Sequence, residues 1–361
     1  MRIAIVGGIY GKDESFRRKV QFTPETILER GFAARGCEIA TFGHYAAIDV
    51  KQFNVVHVHH LSYGTARVAA DNSDTAFVYT SHDPLAMSGL LDRQRQLAMR
   101  FVISRADAVV ALSKSEAEFQ QRNYRLAGAL HAVIPNGIDP ANYVYVRNNA
   151  AGQGRAWQLL YVGQLNALKN VDVLLRALPL VKQPVELGLA YHISTLEIPL
   201  RKLAVDLGLN ERVQFLGPKT PRELADMYQR ADLFVLPSGG EALPSVVTEA
   251  MLCGTPVVAT DVGGVREQLH GYGLCVPAGR PDELAAAIAR VLDHYEQFAA
   301  QSEPASAYAR QQFTIDAMVD RHLELYAELL DKKGPRRRHT PFRVPINAVL
   351  KMGVNLICAT K

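Results

Sequence analysis

The amino-acid sequence predicts two α/β domains, each an open parallel sheet with helices on both faces. Three observations lead there. Short apolar runs alternate with longer amphipathic segments along most of the chain, the pattern of buried parallel strands joined by crossover helices. The stretch Asp139–Trp157, with Pro140 and the run Asn148-Asn-Ala-Ala-Gly-Gln-Gly-Arg155, interrupts that pattern once. The 361 residues, 48% of them hydrophobic, suffice for two domains with ordinary cores.

In the first part, Ile3–Val6, Val55–Val58, Ala76–Thr80 and Ala108–Leu112 read as buried strands, with Ala132–Ile134 a shorter candidate. In the second, Leu159–Val162, Val185–Ala190, Val213–Leu216, Leu233–Leu236 and Val257–Ala259 read the same way. Val171–Val181, Glu223–Ala231 and Pro281–Tyr295 carry helical patterns between them. Phe313–Leu330 reads as one long amphipathic helix, with Met318, Leu323, Leu325, Tyr326, Leu329 and Leu330 apolar. The expected organisation is a domain over 1–150, a second over 151–314, a helix over 315–331 that crosses back to the first domain, and a tail over 332–361. Ligands of such sheets bind at the strand C-termini, so a cleft between two Rossmann-like halves is expected there.

Composition narrows the function. No apolar run reaches the roughly 18 residues of a membrane span. The start, Met1-Arg-Ile-Ala-Ile-Val-Gly-Gly8, lacks the apolar core and cleavage site of a signal peptide and reads as a first buried strand. Cys37, Cys253, Cys275 and Cys358 have neither metal-ligand nor disulfide spacing. A reducing, cytoplasmic setting is expected. Net charge is +4, but the tail holds eight of the 40 Lys and Arg and none of the 36 Asp and Glu. The body is therefore mildly acidic, which argues against a nucleic-acid partner. A basic tail ending in an apolar helical pattern (Ile346, Val349, Leu350, Val354, Ile357) suits an anionic membrane surface. It equally suits a helix packed on the first domain with the basic run as a connector.

The residues that carry chemistry centre on Ser238-Gly-Gly-Glu-Ala-Leu-Pro-Ser-Val-Val-Thr-Glu-Ala-Met251. A strand precedes this stretch and a helix N-terminus falls inside it. Free backbone amides and the helix dipole make such a turn a seat for phosphate. Glu241 and Glu249 flank the seat, and a carboxylate can accept two sugar hydroxyls at once. Glu249 is expected on the ribose hydroxyls and Glu241 nearer a transferred sugar; the alternative is a solvated helix residue and a loop acid. In Tyr161-Val-Gly-Gln-Leu-Asn-Ala-Leu-Lys-Asn170, Lys169 is a point charge suited to a diphosphate leaving group. A surface lysine is the alternative, against which the helix dipole speaks.

In Thr80-Ser-His-Asp-Pro84, His82 is placed to hydrogen-bond a sugar or polarise an attacking hydroxyl, with Asp83 orienting its ring. A structural His–Asp pair is the other reading. His57 and His59 alternate onto one face like a metal pair, but no third ligand accompanies them, so no metal is expected. Gly7 and Gly8 follow the first strand and let a phosphate or acceptor approach the backbone. The turn fits neither the dinucleotide nor the P-loop fingerprint.

Together these residues resemble the large E-x7-E family of glycosyltransferases (family 4, glycosyl transferases group 1), over about residues 1–330. The Glu241–Glu249 string through Gly264 carries the resemblance, supported by Val162-Gly-Gln-Leu165 with Lys169-Asn170, Arg212-Val-Gln-Phe-Leu-Gly217, Ile134-Pro-Asn-Gly-Ile-Asp139 and Ser81-His-Asp83. The resemblance implies a GT-B fold, an acceptor-binding first domain and a nucleotide-sugar-binding second domain. It also implies retention at the anomeric carbon and no metal or other cofactor. By the same resemblance Lys169 meets the diphosphate, and Phe215, Leu216 and Gly217 meet the base. Val246 and Val247 offer amides to the phosphates, while Gly163, Gln164, Ala242 and Leu243 complete the donor site.

The sequence departs from the family in three places. Gln164 stands where an arginine is usual, Gly188-Leu-Ala-Tyr-His192 replaces a Gly-x-Gly turn, and the tail lies outside the pattern. The expected activity is hexose transfer from a UDP- or GDP-sugar to a hydroxyl acceptor, such as a glycan, glycolipid or envelope-polysaccharide precursor. His82, Glu241 and Lys169 are the expected catalytic residues; the acceptor-binding residues stay open. The alternatives are a nucleotide-sugar 2-epimerase of similar fold and an inactive nucleotide-sugar-binding subunit.

Overall fold

Ile3 and Ile5 project to one face of the first strand, Ala4 and Val6 to the other, and all four are fully buried. A strand buried on both faces belongs in the middle of a parallel sheet covered by helices. The computed structural model describes residues 1–19, 23–71, 74–82, 93–124, 126, 128–146 and 154–332, and within these the chain forms two units. One is Met1–Gly137 with the C-terminal helix Ile315–Asp331, and the other is Ile138–Thr314.

The first unit holds six parallel strands: β1 (Arg2–Val6), β2 (Glu38–Phe42), β3 (Val55–His59), β4 (Ala76–Thr80), β5 (Ala108–Ala111) and β6 (Leu130–Val133). Their spatial order is β2-β1-β3-β4-β5-β6. On the Ile3/Ile5 face, Phe32 and Leu28 of the helix Pro24–Ala34 meet Met318, Val319, Tyr326 and Leu329 of the C-terminal helix. Arg35 adds ion pairs to Asp316 and Asp320 of that helix at 3.0 and 2.7 Å. On the Ala4/Val6 face, Val56, Phe77 and Tyr79 meet Met99, Val102 and Ile103 of the helix Arg93–Arg105.

The second unit also holds six parallel strands: β7 (Trp157–Val162), β8 (Val185–Ala190), β9 (Val213–Gly217), β10 (Leu233–Leu236), β11 (Val257–Thr260) and β12 (Leu274–Val276). Their order is β12-β11-β10-β7-β8-β9. Asp232, fully buried, holds the start of β10 to β7: it accepts from the Gln158 amide at 2.8 Å and from both terminal nitrogens of Arg155 at 2.7 and 2.9 Å.

Strand order reverses at β1/β3 in the first sheet and at β7/β10 in the second. The loops leaving the C-terminal ends of two adjacent strands diverge at such a point and open a crevice between them, which is where open α/β sheets bind ligands. The residues leaving β1 are Gly7 and Gly8, and those leaving β3 begin at His60. Gly163 and Gln164 leave β7, and the loop leading to Ser238 and Glu241 leaves β10.

Two strands differ from the sequence expectation. β2 and β12 lie at sheet edges: β2 is half-buried and mixes polar with apolar residues, and β12 is only three residues long. The division between units falls at Gly137/Ile138, ahead of the expected 150/151 boundary. Ile138 bridges to Thr314, and the Tyr143 carbonyl accepts from Arg310 at 3.0 Å, so the chain joins the second unit before its composition changes. The helix expected over 315–331 is Ile315–Asp331, grouped with the first unit. The tail reading falls on residues 333–361, which lie outside the described residues, as does Asp83.

Candidate active site

In the second unit the β7/β10 switch point is assembled by two loops locked together. Asn166 caps the short turn Ala167–Lys169 by accepting from the Lys169 amide at 3.2 Å. The Gly239 amide from the other loop donates to the Leu168 carbonyl at 2.7 Å. The Lys169 backbone is thereby fixed, and its Nζ donates to Glu241 Oε1 at 2.6 Å. Ser238 Oγ donates to the same oxygen at 2.6 Å. Lys169 is 19% and Glu241 9% exposed. In this partly desolvated setting a charge acts on its neighbours more strongly than it would in bulk water.

A third loop braces the acid. The Gly264 amide donates to the Ala242 carbonyl at 2.9 Å. Gly263 adopts φ +54° with its α-carbon against the Glu241 carbonyl oxygen, where a β-carbon would overlap that atom. Thr260 Oγ1 donates to the Ser238 carbonyl at 2.6 Å. Glu241 is thus held by its side chain and its backbone alike.

The helix Ser245–Cys253 starts beside Glu241 with no side-chain cap at Pro244. An uncapped N-terminus directs amides and the positive end of the dipole outward. Of the two amides expected to meet phosphate, Val247 N–H instead donates to the Pro244 carbonyl at 3.1 Å. Val247 is buried and Val246 half-buried. Turn closure at the first helical residues accounts for the difference.

Glu249 is held by two tyrosines. The Tyr228 hydroxyl donates to its Oε2 at 2.9 Å, and the Tyr143 hydroxyl also bonds it. Burial pushes the Glu249 carboxyl up to about 7, against the pull of those two hydroxyls. The tyrosines escape a reading of motifs because they come from the helix Pro221–Arg230 and from the segment after Ile138, distant in sequence.

The remaining donor candidates take these positions. Gln164 Oε1 accepts from Asn166 at 2.9 Å, and its carbonyl accepts from the buried Tyr161 hydroxyl at 2.7 Å. Gly163 lies against that same hydroxyl. Leu243 is buried and Ala242 half-buried. Phe215, Leu216 and Gly217 end the edge strand β9, with Phe215 beneath the Arg201 guanidinium at 4.3 Å.

In the first unit the β1/β3 switch point is a histidine cluster around one buried acid. Gly7 donates to the Phe42 carbonyl at 3.0 Å, and a β-carbon there would lie 2.8 Å from Glu25 Cγ. Glycine therefore lets Glu25, in the first turn of the helix Pro24–Ala34, rest against the turn. His60 Nε2 faces Glu25 Oε1 at 3.4 Å, from a backbone at φ +65°. Burial alone would raise the Glu25 carboxyl, but the His60 hydrogen bond and the imidazoles of His59, His60 and His82 outweigh it and hold the group below the usual carboxylate range. Gly8, Lys12, Thr23, Glu25 and His60 line a cavity of about 250 Å³ here.

His82, just past β4, stacks on His59 at an interplanar angle of 10°, with Nε2 2.8 Å from His59 Nδ1. Burial holds its pKa well below the ordinary histidine value, so the ring is neutral. His57 and His59 share one face as expected, with ring centroids 4.2 Å apart. His57 is engaged elsewhere: Nε2 meets Thr80 Oγ1 at 2.7 Å, and Nδ1 meets the Tyr326 hydroxyl at 2.6 Å. Among the described residues, no group of three or more His, Cys, Asp and Glu is arranged to hold a metal ion, and no helix is long and apolar enough to cross a membrane.

Comparison with known proteins assigns the family. Residues 147–311 match glycosyl transferases group 1, and residues 22–142 match glycosyltransferase family 4. The chain is 30% identical over 308 residues to a D-inositol 3-phosphate glycosyltransferase of Thermobispora bispora, covering 78% of this chain and 72% of that protein. It is 31% identical over 310 residues to the enzyme of that name from Mycobacteroides abscessus, covering 80% and 69%. In structure it is similar to sucrose-phosphate synthase from Thermosynechococcus elongatus, with a TM-score of 0.76, 20% identity, and 92% and 100% of the two chains covered. It is likewise similar to Anabaena HepE in complex with UDP and glucose, with a TM-score of 0.72, 21% identity, and 91% and 100% covered. The chain belongs to the family 4, group 1 glycosyltransferases. It is a glycosyltransferase with the two-domain α/β GT-B fold.

Proposed function

We propose that this glycosyltransferase moves a hexose from a UDP- or GDP-sugar to a hydroxyl acceptor, with retention at the anomeric carbon and without a metal. One observation carries the reading. A lysine ammonium, a carboxylate and an uncapped helix N-terminus converge at the β7/β10 switch point of the second unit. That set suits a ligand bearing both phosphate and hydroxyl groups. A neighbour in structure, Anabaena HepE, has been seen with UDP-glucose, which supports a uridine donor.

In this reading the bond between the anomeric carbon and the diphosphate oxygen breaks, and negative charge grows on the departing diphosphate. Lys169 and the amides at the start of the helix Ser245–Cys253 stabilise that charge in place, without reorganising. Glu241, already oriented by Ser238, accepts from sugar hydroxyls. The acceptor oxygen joins the anomeric carbon on the face the diphosphate leaves, and its proton passes to the departing phosphate oxygen. No protein nucleophile takes part. His82 supplies a hydrogen bond to a substrate oxygen. The acceptor is a polyhydroxyl compound such as a glycan, glycolipid or envelope-polysaccharide precursor, and the basic tail carries the enzyme to an anionic membrane face.

The test is thermal shift and calorimetry against UDP-, GDP- and ADP-hexoses, followed by transfer assays with the donor that binds. Tight binding of one UDP- or GDP-hexose, weakened at least tenfold in Lys169→Ala, is the expected result. Binding of no nucleotide sugar, or unaltered binding in the variant, would overturn the reading.

A further inference from the structure

In the first unit His57 lies against His59 and His59 against His82, and their hydrogen bonds differ in kind. Both nitrogens of His57 have partners, Thr80 and Tyr326. His59 has one: its Nδ1 faces His82 Nε2 at 2.8 Å, while its Nε2 is buried without a partner among the described residues. The bond between the two rings needs one proton, and there are two ways to place it.

If His82 carries the proton on Nε2 and donates, the Nδ1 of His59 must be bare. A neutral His59 then carries its own proton on Nε2, a buried N–H with nothing to receive it. If His59 carries its proton on Nδ1 and donates, its Nε2 is a bare lone pair instead. Among backbone groups an orphaned buried N–H is rarer than an under-satisfied carbonyl; extending that ordering to the ring nitrogen selects the second arrangement. A doubly protonated His59 is excluded by its burial, which lowers its pKa to about 3. His82, accepting at Nε2 and neutral, then carries its proton on Nδ1.

We propose that His59 is a positioning residue that fixes His82 as an N–H donor, so that His82 binds a substrate oxygen and does not act as a general base. The claim rests on the reading of His82 as a substrate-binding residue and narrows it to one protonation pattern. His59 itself touches His82 and not the substrate. The partner that fits an Nδ1–H donor is a hydroxyl, ring or phosphate oxygen of a substrate. A hydroxyl bonded to His82 in this state cannot pass its proton to that ring, in keeping with transfer of the proton to the departing phosphate.

Two measurements on the full chain decide it. The first is long-range 1H–15N correlation of the histidine rings above pH 7, with His82 and His59 assigned from the spectra of His82→Gln and His59→Asn. Nδ1–H tautomers at both residues are expected; an Nε2–H tautomer at His82 would overturn the proposal whatever the activity. The second compares His59→Leu with His59→Asn, whose amide N–H occupies the place of Nδ1. His59→Leu should lose about 10- to 100-fold in kcat, the scale on which a misplaced catalytic contact acts. His59→Asn should stay within about threefold of the native enzyme on the same argument. Equal kcat in both variants, or a loss confined to KM, would overturn the positioning role. If His59→Leu does not fold, His59→Asn and the tautomer spectra still decide. His82→Phe tests the underlying reading separately, because full transfer in that variant removes His82 from the site without altering the tautomer result.

Discussion

The Lys169 ammonium and the Glu241 carboxylate meet at 2.6 Å in the second unit, with Ser238 donating to the same oxygen. The lysine is thereby held in place at the switch point before any ligand arrives. Its removal has two consequences. The positive charge that would face a leaving diphosphate is lost, and Glu241 keeps only Ser238. Lys169→Ala should therefore lower kcat by about 10²- to 10³-fold, as removal of one preorganised electrostatic group does. Glu241→Gln keeps the shape and weakens both bonds, so its defect should be smaller. A double-mutant cycle on kcat/KM should return a coupling of about 0.5–3 kcal/mol, as directly contacting residues do. Additive defects would mean that the two groups act independently.

Gly263 makes a stability prediction within the same site. Its φ of +54° and its approach to the Glu241 carbonyl oxygen leave no room for a β-carbon. Gly263→Ala must either adopt a strained backbone or push the Glu241 loop away. The first costs on the order of 1–3 kcal/mol, and the second moves the Glu241 carboxylate away from Lys169. Thermal melting with a transfer assay at a permissive temperature checks this: Tm should fall and activity should fall with it. A variant with native Tm and native kcat would show that the loop is not braced by this contact.

Gln164 predicts a gain. Its amide oxygen is turned onto Asn166, and the position contributes no charge. Charge-assisted hydrogen bonds contribute roughly 1.5–3 kcal/mol, so Gln164→Arg should tighten the nucleotide-sugar donor by about tenfold if its guanidinium reaches the diphosphate. Calorimetric titration of native and variant protein with the same donor measures this directly. Unchanged or weaker binding would show that the native loop is built around the amide.

Interior features were legible in the sequence because one residue type repeats at one period. β4, β5, β10 and β11 are almost wholly apolar and buried throughout. β2 is an edge strand of mixed, half-buried residues and β12 an edge strand of only three residues, so pattern alone does not expose them. Lys169 and Glu241 were legible as candidates because each sits in a loop between a strand and a helix, and the structure brings the two side chains together. Tyr143 and Tyr228 were not, since their pairing with Glu249 is made by tertiary packing between distant segments. The unit boundary was displaced for a related reason: composition marks where the chain becomes loop-like, whereas Ile138 joins the second unit through its bridge to Thr314.

The Tyr326–His57 bond predicts how the C-terminal helix is held to the first unit. The Tyr326 hydroxyl meets the buried His57 Nδ1 at 2.6 Å, and His57 is occupied by Thr80 on its other side. Tyr326→Phe would leave a buried imidazole nitrogen without its partner, at a cost of about 1–3 kcal/mol. Tm should drop, and proteolysis at the C-terminal helix should quicken relative to the rest of the chain. His57→Phe removes the stranded nitrogen, so the double variant should be less impaired than the sum of the singles.

Glu249 gives the pH dependence. Burial raises its carboxyl from the ordinary 4.5 to about 7. Between those values the folded protein holds a proton at this site that the unfolded chain has released. Stability from this group is therefore fully present below pH 4.5 and is lost as pH rises through 7. One proton of difference corresponds to a slope of at most about 1.4 kcal/mol per pH unit. The buried Glu116, raised to about 7 by burial as well, acts in the same direction, while the depressed His59 and His322 act oppositely below 6.5. The single-site difference between native protein and Glu249→Gln isolates the term. The two Tm values should lie closest near pH 5, and Glu249→Gln should gain on the native protein as pH rises to 8. A difference that stays constant over that range would mean that Glu249 titrates as an ordinary carboxylate despite its place between Tyr143 and Tyr228.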